Sequence, residues 1–167
     1  MVEPQRIATL REGALWFDGR RFPAAIGAHG VVAHKEEGDS GTPAALMALR
    51  RVLYRADRIA PPRAAVAIEP IAPDDGWCDD PAHADYNRMI RLPHPGRHEA
   101  LWRGDGLYDV IGVLGWNDDP VRRGRGSAIF LHVARADFRP TEGCIALAAT
   151  DLLDVLAQGL GGIDTRG

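Results

Sequence analysis

"GDSGTPAALMALRRVLYRADR", residues 38–58, is the stretch on which the fold turns. Thr42 ahead of Pro43, followed by Ala, Leu and Met, has the look of a capped helix start, and propensity alone carries that helix through Arg51. The later part, "RRVLYR", fits a strand at least as well. The surroundings favour strands. Nineteen glycines and 12 prolines are scattered through 167 residues, which suits short strands joined by many turns better than a bundle of long helices.

With 46% hydrophobic residues, the chain can build one core, and residues 1–167 are expected to form a single domain. A net charge of −3 gives no global basic surface, so nucleic acid and anionic membrane are poor default partners. No apolar run reaches the length of a membrane span, and the opening "MVEPQRIATLREGALW" lacks a signal-peptide core. Only two cysteines occur, Cys78 and Cys144, so neither a disulfide framework nor a Cys-rich zinc site is indicated.

Asp18-Gly19 between apolar arms predicts a hairpin, because glycine takes positive φ cheaply. Strands are expected within 64–73, 107–116 and 127–133. After Cys144, Thr150 is a suitable N-cap and Leu152, Leu153, Val155 and Leu156 fall on one side before Gly159, which makes this the clearest helix. "DDGWCDDPAHADYN", residues 74–87, is the longest irregular stretch, of the kind that tends to line sites.

The chemistry centres on "PTEGCIALAATDLL", residues 140–153. A cysteine attacks acyl groups as thiolate and needs a base nearby and backbone N–H donors for the oxyanion. His132 ends an apolar strand 12 residues before Cys144, far enough for an excursion and return. Gly143 permits a sharp turn whose amides, with that of Cys144, can face an oxyanion. Taken on residue type alone, a Cys among apolar neighbours reads more often as packing.

A strand-end His followed by "TEGCIAL" and an Asp-bearing helix resembles the YkuD-type L,D-transpeptidases. "KEEGDSGTPAA" is similar to that family's Lys-Gly-Asp-Thr-Pro segment, and "GWCDDPAHADYNRMIRLP" and "GWNDDPVRRGRGSAIFLH" look like blocks of a bacterial branch. The resemblance spans roughly residues 30–157. It implies a mainly β fold, a β-sandwich of two packed sheets with one or two short helices, one of them after the Cys144 turn. It therefore places Leu49–Tyr54 on a strand. It also implies that Cys144 is the nucleophile, His132 the base and the backbone at Gly143 and Cys144 the oxyanion site, with a main-chain carbonyl orienting the other His132 nitrogen. The sulfur of Cys144 is expected within hydrogen-bond reach of His132, or a small rotation away.

The activity implied is that of a peptidoglycan acyltransferase. It attacks a diaminopimelate carbonyl of a stem peptide, expels D-Ala and forms a 3-3 cross-link, with carbapenem-type β-lactams as inhibitors. With water as acceptor the same site is a carboxypeptidase or hydrolase. A retired cell-wall binding module and a cytoplasmic hydrolase of recycled muropeptides are the other readings. A depressed thiol pKa distinguishes an active site from a retired one. The location implied is the periplasm or cell envelope, and without a visible leader the cytoplasm stays open. Two residues depart from the family pattern. Glu142 stands where a His is usual, and Ala146 where an Arg often follows. Trp77, Tyr86, Asn87, Thr141 and Arg139 are candidate substrate contacts. Cys78 reads as structural. His83, His94 and His98 show no spacing that builds a metal site and read as surface residues, so no metal and no cofactor is expected.

Overall fold

Asp18 and Gly19 turn the chain with φ of 52° and 75°, the paired positive values of the tight hairpin that the Asp-Gly dipeptide predicts. The computed structural model describes residues 6–167. Residues 1–5 lie outside the described residues. In chain order the elements are β1 (Arg6–Arg11), β2 (Ala14–Phe17), β3 (Arg20–Ala25), β4 (Val31–Val32), β5 (Thr42–Pro43), β6 (Leu46–Tyr54) and β7 (Ile68–Pro70). There follow β8 (Asp75–Cys78), β9 (Met89–Arg91), β10 (His98–Ala100), β11 (Val110–Leu114), β12 (Phe130–Val133), β13 (Ile145–Leu147), α1 (Ala149–Ala157) and β14 (Leu160–Asp164).

The segment that could have been a helix is strand from Leu46 to Tyr54. Its local propensity loses to tertiary pairing. Residues 46–48 of β6 pair with β14, and Leu49 to Tyr54 pair with β11. The two layers of the expected sandwich are β3-β2-β1-β14-β6 and β6-β11-β12-β13-β3. Because β6 and β3 belong to both, the sheet closes on itself and the layers are joined at their corners. Between them lies the main core, with Leu15, Phe22, Met47, Leu131, Ile145 and Ile163 almost wholly buried.

The helix starts at Ala149, with Ala148 as an N-cap that makes no side-chain bond, so Thr150 lies inside the first turn and does not cap it. Burial of Leu152, Val155 and Leu156 holds the helix instead. Leu153 remains exposed. Gly159, at φ 90°, follows the C-cap as anticipated. The stretch at 74–87 is less irregular than its composition implied. Its first residues form β8, fully buried, at the centre of a three-stranded sheet β10-β8-β9.

That small sheet positions the site. On β12, Leu131 and Val133 face the main core, while Phe130 and His132 point to the opposite side. There Phe130 packs in a second cluster with Trp77, Leu101, Tyr108 and Ile111, and Cys144 packs against the same cluster. The barrel wall and the small sheet thus enclose a cleft beside β12 and β13.

Candidate active site

The turn that carries Cys144 is braced from three directions. Gly143 has φ 144°, in the region that favours glycine, and a Cβ placed there would lie 2.8 Å from the Gly41 carbonyl oxygen. Thr42, fully buried on β5, donates its hydroxyl to the Gly143 carbonyl at 2.9 Å and accepts from the Gly27 amide at 2.9 Å. Thr141 donates to the Cys144 carbonyl at 2.6 Å and accepts from the Gly143 amide at 3.1 Å. The Gly143 N–H is therefore engaged. Among the hydrogen bonds of the described residues none uses the Cys144 N–H.

β12 and β13 run parallel with His132 opposite Ala146, so Cys144, two residues before Ala146, lies on the same face as His132 and one pair further along. Both line one cavity of about 640 Å³ with Glu99, Arg103, Tyr108 and Thr141. His132 is buried, with 7% of the residue exposed, and its Nδ1 lies 2.9 Å from the Val133 carbonyl. A carbonyl can only accept, so Nδ1 carries the proton and Nε2 presents its lone pair. The orienting partner is thus main chain, as the resemblance implied. Tyr108 packs edge-on against this imidazole with ring centroids 5.4 Å apart.

The thiol itself is turned to the main chain. Cys144 Sγ donates to the Ala128 carbonyl at 3.2 Å and accepts from the Phe130 amide at 3.4 Å. No hydrogen bond to His132 is formed among the described residues, so the direct contact expected from sequence requires the side chain to rotate. Burial pushes the thiol up to about 12, and the charges of Glu99 and Glu142 add to that, against the Phe130 N–H and Lys35. Burial also lowers the His132 pKa. Burial thus disfavours the charged form of both groups. Glu142 raises the thiol by less than burial and Glu99 do.

Sequence reasoning missed Glu99, Arg103 and Tyr108. Tyr108 donates to Glu99 at 3.0 Å, and the Arg103 guanidinium stands 4.9 Å from the Tyr108 ring centroid. Burial lifts Glu99 to about 7, partly offset by its Tyr108 bond, and lifts Tyr108 well above its ordinary value. No local signal marks them, because they come from strand and loop segments with nothing in common but this cleft. The role of "KEEGDSGTPAA" was missed as well. Lys35 pairs with Asp39, which also accepts from the Glu36 and Gly41 amides at 2.8 Å, and so holds Gly41 against Gly143.

Other sequence candidates separate. Thr141 and Arg139 line the cleft, Arg139 paired with Asp137 at 2.9 Å on the surface. Trp77, Tyr86 and Asn87 do not reach its lining and are packed inside instead, at 6%, 2% and 6% exposure. Trp77 Nε1 donates to Asn87 at 3.0 Å, and Tyr86 donates to Glu37 at 2.8 Å. These bonds hold the loops around the cleft. His94 is likewise not a surface residue, with a side chain only 10% exposed.

Comparison with known families gives the class of this chain: an L,D-transpeptidase catalytic domain. The matching family is YkuD, over residues 3–162, nearly the whole chain, and the protein belongs to it. No curated protein and no solved structure matches. Among the described residues no helix is long and apolar enough to cross a membrane.

Proposed function

We propose that this protein is a peptidoglycan L,D-transpeptidase that works through Cys144, with residues 1–167 as one catalytic domain. The observation that carries the reading is the His132 tautomer, whose Nε2 lone pair is left to face the cleft shared with Cys144. Binding of a stem peptide displaces water and turns the thiol from Ala128 toward His132. Nε2 takes the thiol proton as sulfur attacks the diaminopimelate carbonyl, and the Cys144 N–H receives the oxyanion. Collapse expels D-Ala, protonated by His132, and leaves a thioester. An amine of a second stem, deprotonated by His132, then takes the acyl group in a 3-3 cross-link and restores the thiol. Thr141 and Arg139 are the substrate contacts on the rim. The family's setting supports a place in the periplasm or cell envelope.

A carbapenem tests this, because its strained carbonyl stands in for the stem-peptide carbonyl. The expected result by intact-mass spectrometry is one covalent adduct, abolished in Cys144→Ala, slowed by roughly 10²–10⁴ in His132→Ala and unchanged in Cys78→Ala. The raised thiol favours a second reading, a cell-wall binding module without turnover. An unmodified wild type after long incubation would favour that reading instead.

A further inference from the structure

We infer that Cys78, His83 and His94 form a binding site for a zinc-type divalent cation, which staples together the two loops on either side of β9 beside the cleft. One ligand atom from each of the three residues lies within 4.8 Å of the others. Cys78 is wholly buried at the end of β8, and the two imidazole rings meet edge to face with centroids 4.5 Å apart. A thiolate with two imidazoles is a donor set that suits zinc in tetrahedral geometry, and His83, 29% exposed, leaves room for water as the fourth ligand. Binding releases the thiol proton to solvent.

The surroundings are those of a built site. Gly96 lies against His83, where a Cβ would stand 3.1 Å from the ring. The Gly96 amide donates to His94 Nδ1 at 3.0 Å, so His94 Nε2 carries the proton and donates to Asp85 at 2.9 Å. A cation that replaces the Gly96 amide at Nδ1 keeps the Nε2–H to carboxylate bond, the arrangement that orients metal-bound histidines. The Asp85 amide on His83 Nδ1, at 3.0 Å, is the second bond open to exchange. The spacing in sequence hides the site, because only the pairing of β8 with β9 and β10 folds residues 83 and 94 back over Cys78. The consequence reaches the cleft, since Asp79, where the first loop starts, and Arg97, where the second ends, line it.

Cobalt(II) reports such a site directly. Full-length protein without a polyhistidine tag, treated with chelator and titrated with Co(II), should bind one equivalent with an intense visible band and a near-ultraviolet thiolate-to-cobalt band, both bleached by Zn(II). Cys78→Ser should remove the thiolate band and Cys144→Ala should retain it. Asp85→Asn, at a half-exposed carboxylate, should weaken binding by about 10–100-fold and keeps the test alive should Cys78→Ser misfold. Absence of both bands from the wild type, a thiolate band that depends on Cys144, or unchanged affinity in Asp85→Asn overturns the assignment.

Discussion

Cys144 and Glu99 set the reactivity of the cleft between them. A buried thiol next to an ionisable carboxyl resists losing its proton, and the direction is unambiguous: negative charge on Glu99 raises the thiol, so removing it lowers the thiol. Alkylation of Cys144 by iodoacetamide should therefore climb with pH beyond neutrality without levelling. Glu99→Gln, which keeps an acceptor for Tyr108, should speed it at pH 8 by about tenfold for each unit by which the thiol falls. A wild-type profile that levels near neutral pH would show a resting thiolate-imidazolium pair and contradict the neutral dyad. On the proposed reading, the reactivity of the thiol depends on what the substrate brings. A ligand that displaces water and frees the thiol from Ala128 changes the balance that the empty cleft sets.

At the scale of elements, the Cys144 turn is held by β5 as well as by its own Thr141. Thr42 links two chain segments through one hydroxyl, buried where water cannot replace it. Thr42→Val should lower stability by about 2–4 kcal/mol in urea denaturation, because it leaves the Gly27 amide and the Gly143 carbonyl without partners, while Thr42→Ser should recover most of the loss. Equal stability of the Val variant would place the support elsewhere. This link was only half legible in sequence. The Asp-Gly hairpin, the strands around 110–114 and 130–133, and the helix after Cys144 announce themselves through local pattern and turn chemistry. β6 does not, since "TPAALM" favours a helix until β11 and β14 pair with it. For the site, Cys144, His132 and Gly143 stood out because their chemistry is local to one short return of chain. Glu99, Tyr108 and the Cys78 group did not, because each becomes meaningful only when strands distant in sequence pair.

For the whole molecule, closure of the sheet decides where charge can be accommodated. β1 and β14, near opposite ends of the chain, run side by side, so the barrel is complete only when both are in place and the interior behind β12 stays dry. Glu99 lies on the other side of β12, in the lining of the cleft, and burial there raises its carboxyl from an ordinary 4.5 to about 7. The folded protein then binds more protons at this group than the unfolded chain between those two values, so stability falls as pH rises through that window. His132, lowered by burial, works the other way, and its contribution grows as pH rises toward its unfolded value. Surface carboxylates held low by arginine, such as Asp164 at about 2, matter only under strongly acidic conditions. Glu99→Gln should therefore be more stable than wild type by about 1–3 kcal/mol at pH 8, with the gap closing toward zero at pH 5, as read from urea midpoints at the two pH values. A gap of equal size at both would mean that the glutamine improves packing and that the carboxyl bears no buried charge.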